Sequence, residues 1–286
     1  MKKAIIKSAS GGIFLGLCEE GFEVSLHSPG KIKQAQKLVV GDIVYYDEEN
    51  YNTILKIEPR KNEFIRPKSA NIDIFLIVQS IEEPKFDSYL IDKLIVTAIR
   101  NLVTPVLYIS KADINENLAQ EICEKYTKVG IKTFVGRLDG NNYQNIVEVL
   151  KGKIVLLVGN SGVGKSTFLN NMHGEELQRT NIISKKLGRG KHTTRQAEIF
   201  SYNGFYLIDT PGFSSFDLKV MNEHERLSNY FPEMKRLQDK CKFNTCTHIH
   251  EPNCAIKEAV EKGIIAKSRY QNYLILYDEL ERGKTW

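Results

Sequence analysis

The sequence predicts an α/β domain with a mostly parallel sheet, preceded by a small β-barrel and followed by a helical unit. Short strand patterns separated by glycines fill the first 68 residues, and strand and helix patterns then alternate from residue 71 to residue 208. After the Pro211-Gly212 pair the strand patterns stop, and residues 222–286 are polar and helical in pattern. We expect domains over residues 1–68, 69–219 and 220–286.

The composition is that of a soluble globular protein. The 286 residues are 42% hydrophobic and 26% charged, and no apolar run approaches the roughly 20 residues that cross a bilayer. The charged residues Lys7, Glu19 and Glu20 interrupt any secretory-signal core near the start. We therefore expect a cytoplasmic monomer without membrane contacts.

Five short strand patterns predict the barrel, at residues 4–7, 13–18, 22–26, 42–46 and 53–58. This density of strands suggests an OB-fold. Such barrels often bind single-stranded nucleic acid through a basic, aromatic-bearing face. RNA binding is therefore one expectation for this domain, and packing against its neighbour alone is the other.

Alternating patterns predict the central domain. Strand patterns cover residues 72–78, 106–109, 131–135, 154–158, 197–202 and 205–208, and helix patterns cover residues 88–100, 115–129, 143–150 and 165–172. Strands that alternate with helices form a mostly parallel sheet with helices on both faces. The last two strands are expected to form a hairpin across Asn203-Gly204.

A phosphate-binding loop follows the strand at 154–158. Its Gly-x4-Gly-Lys-Ser pattern lies between an apolar strand and a helix, where backbone N–H groups surround phosphate oxygens and the helix N-terminus favours negative charge. Lys165 is expected to contact the β and γ phosphates, and the Ser166 hydroxyl group to bind Mg²⁺. The candidate residues are Gly159, Asn160, Ser161, Gly162, Val163, Gly164, Lys165 and Ser166.

Two further segments complete a site for a nucleoside triphosphate. Asp209, at the end of the strand 205–208, is suited to bind Mg²⁺ through water, and the Gly212 amide can contact the γ-phosphate. In segment 188–194, between a helix and the hairpin, a threonine can bind Mg²⁺ while the γ-phosphate is present. We favour Thr194, with Thr193 as the alternative.

The motif Ser110-Lys111-Ala112-Asp113 follows the strand at 106–109 and is expected to read the base. The Asp113 carboxylate can accept hydrogen bonds from guanine N1 and N2, which adenine does not supply, so an ATPase is disfavoured. Lys111 can lie along the base plane. Ser110 stands where such motifs usually have asparagine, so weaker base binding is expected.

Phe213 follows Gly212, at the position where Ras-type enzymes place a glutamine that orients the attacking water. Phenylalanine does not orient water, so we expect slow intrinsic hydrolysis. His192, beside the two threonines, is the candidate catalytic substitute. A contact with phosphate or RNA is the alternative role for this histidine.

A metal site is predicted near the C-terminus. The pattern Cys-x4-Cys-x-His-x5-Cys offers three thiolates and one imidazole, ligands that Zn²⁺ prefers in closed tetrahedral sites, and His250 is a competing ligand. Five cysteines without a secretory signal argue against a disulfide framework. We expect one structural zinc ion bound by Cys241, Cys246, His248 and Cys254.

The base-reading motif precedes the phosphate loop along the chain, the reverse of the order in Ras-like GTPases. We therefore interpret the chain as a circularly permuted P-loop GTPase. In this order the second switch, residues 209–215, leads directly into the C-terminal unit, so a γ-phosphate-dependent movement could reach that unit.

Four features together resemble the small-ribosomal-subunit-dependent GTPase A family, the RsgA-like proteins. They are the permuted order, Gly-Lys-His-Thr-Thr at residues 190–194, the strand-rich first domain and the cysteine–histidine pattern. The resemblance covers essentially the whole chain. It implies an OB-fold, a permuted GTPase domain and a zinc-binding helical domain.

The resemblance also implies a set of ligands and a partner. GTP contacts map to residues 110–113 and 159–167, which adds Thr167, and Mg²⁺ accompanies GTP. The implied partner is the small ribosomal subunit with its rRNA, which stimulates hydrolysis during late maturation. Residues 136–139 lack the serine-containing loop that is typical next to guanine O6, so the base pocket departs from the family pattern.

Two basic groups accompany a net charge of +5 and a pI of about 8.7. Each is either solvated surface or an RNA contact. The alternative function is an RNA-binding scaffold that uses GTP as a structural ligand with negligible turnover. The first basic group is Lys56, Arg60, Lys61, Arg66 and Lys68, and the second is Lys185, Lys186, Arg189, Lys191 and Arg195.

Overall fold

Strand pairing builds a small barrel at the N-terminus. The computed structural model describes residues 1–10, 13–18, 21–30, 37–136, 143–173, 197–202, 204–209 and 226–283. The barrel strands are β1 (Lys2–Ser10), β2 (Ile13–Cys18), β3 (Glu23–Leu26), β4 (Ile43–Asp47) and β5 (Thr53–Ile57), in the order β3-β2-β1-β4-β5. A parallel bridge between His27 and Thr53 joins the two edge strands. The five strands agree with the predicted OB-fold.

Buried side chains that alternate with partly exposed ones along the strands fill the interior of the barrel. In β4 every second residue is buried, including Val44 and Tyr46, which pack with Ala4, Ile6 and Ile54. A two-stranded hairpin follows, formed by β6 (Glu63–Phe64) and β7 (Ser69–Ala70). The domain boundary predicted between residues 68 and 69 falls inside this hairpin and stays a prediction.

The central domain is a six-stranded sheet with helices on both faces. Its strands are β8 (Ile74–Ser80), β9 (Thr104–Ser110), β10 (Lys132–Val135), β11 (Ile154–Val158), β12 (Glu198–Tyr202) and β13 (Phe205–Asp209), and its helices are α1 (Ser88–Arg100), α2 (Glu116–Lys128), α3 (Tyr143–Leu150) and α4 (Lys165–His173). The strand order is β10-β9-β8-β11-β13-β12, and the pairings are parallel except that of β12 with β13. This confirms the predicted mostly parallel sheet.

Burial explains why the strand patterns are so apolar. All seven residues of β8 are buried, as expected for a parallel strand covered on both faces. Residues of α1 and α2, such as Ile91 and Ile122, pack on one face, and residues of α3 and α4, such as Ile146 and Phe168, pack on the other.

Helical segments, most of them short, form the C-terminal domain. They are the 3₁₀ turns Leu227–Tyr230 and Gln238–Lys240 and the helices α5 (Pro232–Lys235), α6 (Ala255–Glu261) and α7 (Lys267–Gly283). Phe231, Met234, Ile256 and Leu276 form its core, which extends to Val96 of α1 in the central domain. Of the helices that the structure describes, none combines the length and apolar character needed to cross a membrane.

Candidate functional site

The phosphate loop connects the end of β11 to the start of α4. The backbone φ angle is 143° at Gly159 and 90° at Gly164, in the region that favours glycine. A side chain at Gly159 is also excluded by space, since an added Cβ would lie 2.2 Å from the carbonyl oxygen of Val78 in β8. The loop therefore passes close to β8 and opens onto the N-terminus of α4, where backbone N–H groups and the helix dipole favour anions.

Lys165 points its ammonium group into this loop. The group donates hydrogen bonds to the carbonyl oxygens of Gly159 and Asn160, at 2.7 and 2.6 Å. Ser166 and Thr167, the next two residues of α4, are exposed. The loop thus presents an ammonium group and two accessible hydroxyl groups at one helix start, the arrangement that phosphate and Mg²⁺ binding requires.

The base-reading motif begins at the end of β9, with β8 between it and β11. Ser110 is the buried last residue of β9, whereas Asp113 is exposed in the 3₁₀ turn Ala112–Ile114. The Ser110 hydroxyl group donates to the carbonyl oxygen of Val163 in the phosphate loop, at an O···O distance of 2.5 Å. The two predicted motifs, which are separated along the chain, therefore touch in the structure.

The loop after β8, residues 81–86, lies against both motifs and is absent from the predicted site residues. The Lys111 ammonium group donates to the carbonyl oxygen of Glu83, and Pro84 lies 3.7 Å from the position that a Cβ on Gly162 would take. The Ser80 hydroxyl group holds the loop by donating to the carbonyl oxygen of Pro84, at 2.6 Å. The sheet order is the signal that points to this loop, because ligands bind beyond the carboxyl ends of parallel strands.

The loop after β10 approaches the same motif. The Gly136 amide donates to the carbonyl oxygen of Ile109, and the Gly136 carbonyl oxygen accepts from the amide of Ala112, at 2.8 and 3.2 Å. An added Cβ at Gly136 would lie 1.7 Å from the Tyr108 hydroxyl oxygen, so a larger residue would require the buried Tyr108 ring to move. Residues 137–139, the rest of the stretch that departs from the family pattern, lie outside the described residues.

Asp209 reaches the same edge of the sheet. It is the last residue of β13, which pairs in parallel with β11, the strand that precedes the phosphate loop. The other candidates for Mg²⁺, γ-phosphate and water contacts lie outside the described residues, as does the basic group at 185–195. These candidates are His192, Thr193, Thr194, Gly212 and Phe213.

The predicted metal ligands come together in the C-terminal domain. One ligand atom each from Cys241, Cys246, His248 and Cys254 lies within 4.8 Å of all the others. The Cys241 and Cys254 sulfur atoms are 3.9 Å apart, and His248 Nδ1 lies 3.6 and 3.4 Å from them. Bonds of about 2.3 Å to sulfur and about 2.1 Å to nitrogen give tetrahedral edges of about 3.8 and about 3.6 Å. The cluster therefore fits one tetrahedral metal ion, and His250 is not part of it.

The protonation of this cluster also favours a bound cation. Burial raises the pKa of the Cys246 thiol to about 12, so a thiolate needs a cation beside it. Burial lowers the pKa of His248, which keeps the imidazole neutral, the form that binds metals. Nδ1 is the imidazole nitrogen that faces the sulfur atoms, and within the described part of the chain Nε2 is buried without a hydrogen-bond partner.

Glu251 organises the loop that carries these ligands. It accepts hydrogen bonds from the Thr247 amide and hydroxyl group and from the Ile249 amide, at 2.6, 2.7 and 3.1 Å. Burial alone would raise the pKa of this carboxyl group, but these hydrogen bonds lower it to about 2. The hydroxyl groups of Tyr270 and Tyr273 in α7 donate to carbonyl oxygens of the same loop, both at 2.7 Å. The loop that carries the candidate ligands is thus anchored by side chains that are not themselves part of the cluster.

Two members of the first basic group serve the fold. Arg60 donates to Asp42 at 2.7 Å, and Lys61 pairs with Asp73 at 2.9 Å. Their charges are therefore neutralised within the protein. Lys61 remains exposed despite this pair, and the exposed members without a role in these pairs are Lys56, Arg66 and Lys68.

The chain is similar to known proteins over almost its whole length. Residues 57–219 match the profile of the RsgA GTPase family. The small ribosomal subunit biogenesis GTPase RsgA of Limosilactobacillus reuteri is 38% identical over 293 residues, which cover 99% of this chain and 98% of that protein. The protein of the same name from Streptococcus pyogenes serotype M6 is 39% identical, over 98% of this chain and 96% of that protein.

Solved structures show the same architecture. YjeQ from Thermotoga maritima superposes with a TM-score of 0.82 at 32% identity, covering 98% of both chains. YloQ, described as a circularly permuted GTPase, superposes with a TM-score of 0.83 at 28% identity, covering 99% of this chain and 96% of YloQ. The chain therefore belongs to the RsgA GTPase family and is a circularly permuted GTPase, an enzyme that hydrolyses GTP.

Proposed function

We propose that this GTPase binds the small ribosomal subunit, assists its late maturation and hydrolyses GTP faster in contact with it. Relatives that match almost the whole chain carry the name small ribosomal subunit biogenesis GTPase. The observation in this chain that carries the nucleotide-binding part of the proposal is the 2.5 Å hydrogen bond from Ser110 to Val163. It joins a guanine-reading motif to a phosphate loop at one edge of the sheet, where a single nucleotide can contact both.

Each nucleotide contact has a separate role in this proposal. The Asp113 carboxylate accepts hydrogen bonds from the guanine edge, while the amides of the phosphate loop and Lys165 neutralise the phosphates. The Ser166 and Thr194 hydroxyl groups bind Mg²⁺ directly, and Asp209 binds it through water. Gly212 donates its amide to the γ-phosphate, so both switches sense whether that phosphate is present.

His192 is the residue that we propose orients the attacking water once the subunit is bound. Phe213 lacks the polar group that a glutamine would supply at this position. A His192→Ala variant should therefore keep the slow intrinsic rate and lose most of the subunit-stimulated rate. If the subunit-stimulated rate of His192→Ala were unchanged, the role that remains for His192 would be a contact with phosphate or RNA.

The cysteine–histidine cluster is proposed to hold one structural zinc ion. Four protein ligands close the tetrahedron and leave no position for substrate, so the ion would supply rigidity rather than catalysis. The Cys241–Cys254 distance of 3.9 Å supports zinc because it is close to the edge of a Zn–S tetrahedron.

The remaining assignments concern partners and organisation. We propose an OB-fold domain over residues 1–68 that contacts rRNA, a GTPase domain over 69–219 and a zinc-binding domain over 220–286. The exposed cations Lys56, Arg66 and Lys68 support rRNA as the partner of the first domain. The protein would act as a monomer in the cytoplasm, where ribosomal subunits mature.

Phosphate release from GTP tests the proposal. The purified protein is assayed alone, with small ribosomal subunits and with large subunits as the control, alongside a Lys165→Ala variant. We expect small subunits alone to raise the rate at least about tenfold, and the variant to remain inactive in all three conditions. A slow rate that no subunit changes would instead favour an RNA-binding scaffold that holds GTP as a structural ligand.

A further inference from the structure

The contact between Ser110 and the phosphate loop crosses an intervening strand. Ser110 ends β9, Val163 follows β11, and β8 lies between these strands. Ser110 is only 6% exposed, and its hydroxyl group reaches the Val163 carbonyl oxygen at 2.5 Å. One short side chain therefore spans the distance between the two loops of the nucleotide site.

Ser110 lies beside the phosphate loop and directly precedes the turn that carries Asp113. A Cβ added on Gly164 would lie at ordinary van der Waals distance from the serine, 3.5 Å from its oxygen and 3.6 Å from its Cβ. Immediately after Ser110 the chain turns, with φ of 54° at Lys111, into the 3₁₀ turn that carries Asp113. The location of Asp113 relative to the phosphate loop therefore depends on where Ser110 is held.

We propose that Ser110 is a positioning residue of the nucleotide site, whose hydroxyl group fixes the base-reading motif at the correct separation from the phosphate loop. The inference rests on the nucleotide contacts proposed above. A ligand that spans both loops gains affinity when their separation is fixed in advance, because binding then orders less of the protein. A ligand that touches the phosphate loop alone gains nothing from the fixed separation.

The difference between a ligand that spans both loops and one that contacts only the phosphate loop can be tested with variants of Ser110 and a control. Ser110→Ala removes the hydroxyl group, and Ser69→Ala is the matched control. Ser69 is also buried and donates to a carbonyl oxygen, that of Pro67 at 3.0 Å, but it belongs to the hairpin next to the barrel. Calorimetry in the presence of Mg²⁺ measures the binding of GDP, which spans both loops, and of inorganic tripolyphosphate, which contacts only the phosphate loop.

We expect Ser110→Ala to weaken GDP binding about five- to tenfold and tripolyphosphate binding less than about twofold, while Ser69→Ala changes neither. Equal losses for both ligands would mean that the phosphate loop itself is damaged, and no loss would mean that the hydroxyl group is dispensable; either result overturns the proposal. Ser110→Cys, which keeps the shape of the side chain with a slightly larger atom but donates weakly, should also lose GDP affinity, and wild-type affinity in this variant would show that packing alone matters. Failure of the wild-type protein to bind GDP would instead overturn the assigned nucleotide site.

Discussion

Asp113 is the residue on which the choice of base depends in the proposed site. A carboxylate accepts hydrogen bonds from both N1 and N2 of guanine, whereas an amide offers one acceptor and one NH₂ donor, which suits the oxygen at position 2 of xanthine. We expect Asp113→Asn to weaken GDP binding about a hundredfold and to reverse the preference in favour of xanthosine diphosphate. Competition of both nucleotides against a fluorescent GDP analogue measures this. Glu121→Gln, an exposed acid on α2, is the control, and an unchanged preference in Asp113→Asn would remove Asp113 from the base contact.

Cys246 tests the metal site at the level of one ligand. Cys246→Ser replaces a thiolate that zinc prefers by a hydroxyl group, so we expect bound zinc to fall from one ion per chain to near zero. A chelator should lower the unfolding temperature of the wild-type protein and leave that of Cys246→Ser unchanged. Cys123→Ser is the matched control, because Cys123 is a free, partly buried cysteine of the central domain. Full zinc occupancy in Cys246→Ser would contradict the ligand assignment.

Residue type predicts those site residues whose side chains do the chemistry. Lys165 and the cluster of Cys241, Cys246, His248 and Cys254 stand out in the sequence because their spacing is typical of phosphate and metal binding, and the structure brings the four cluster residues together. Glu83 contributes a backbone carbonyl group, which any residue has, so its identity carries no signal. Glu251 accepts hydrogen bonds inside a loop and cannot be distinguished in the sequence from a solvated surface acid.

At the scale of elements, a buried ion network attaches α7 to the central domain. Arg269 in α7 donates to both carboxylate oxygens of Glu233, at 2.7 and 2.9 Å, and also to Asp92 of α1. Asp92 further accepts from Tyr126 at 3.0 Å and from Asn272 at 2.7 Å. Burial opposes the charge of Arg269, but its two acidic partners raise its pKa, so the guanidinium group stays protonated.

Removing the arginine from this network leaves two buried carboxylates without their cation. We expect Arg269→Ala to lower the free energy of unfolding by about 3–5 kcal/mol. Arg282→Ala is the control on the same helix, since its side chain is 79% exposed and pairs with Asp278 at the surface, and it should change stability by less than about 0.5 kcal/mol. Urea unfolding of both variants measures the difference, and similar stabilities would mean that the network contributes little.

Long periodic elements were predictable, whereas very short ones were not. The helices at 88–100 and 143–150 have the predicted bounds because each shows a helical period, and the Asp87 carboxylate caps α1. The strand at 154–158 also has the predicted bounds, because it is a continuous apolar run between Lys153 and Gly159. The strands β6 and β7 have two residues each, too few to show a period. β7 also makes contacts with distant residues, such as the bridge of Val40 to Ser69, which a local pattern does not reveal.

At the scale of the whole molecule, the sheet shows what the permuted motif order changes. β11 lies near the centre of the sheet although it follows β8, β9 and β10 along the chain. The Ser110–Asp113 motif and the phosphate loop lie at one edge of the sheet, while the chain enters from the barrel and leaves towards the C-terminal domain. That domain packs on α1 through Val96 and the Arg269 network. We therefore expect the C-terminal domain to move together with α1 when the GTPase domain changes conformation. The sequence predicted only its covalent link through the second switch, because packing on α1 arises from residues far apart in the chain.

The barrel meets the GTPase domain at β12, the strand that follows the predicted first switch at 188–194. The Lys7 ammonium group of β1 lies 3.5 Å from a carboxylate oxygen of Glu198 and 5.5 Å from the centre of the Phe200 ring. If the barrel contacts the ribosomal subunit as proposed, this interface offers a physical route from the subunit to the first switch.

Lys7→Ala should therefore lower the subunit-stimulated hydrolysis rate at least about threefold and leave the intrinsic rate within about twofold of the wild type. Lys2→Ala is the matched control on the same strand, because Lys2 pairs with Glu48 at the surface, where the side chains are 42% and 56% exposed; it should keep both rates. The measurement is phosphate release with and without small subunits. A parallel fall of both rates in Lys7→Ala would indicate general destabilisation, and an unchanged stimulation would show that activation reaches the switch without this contact.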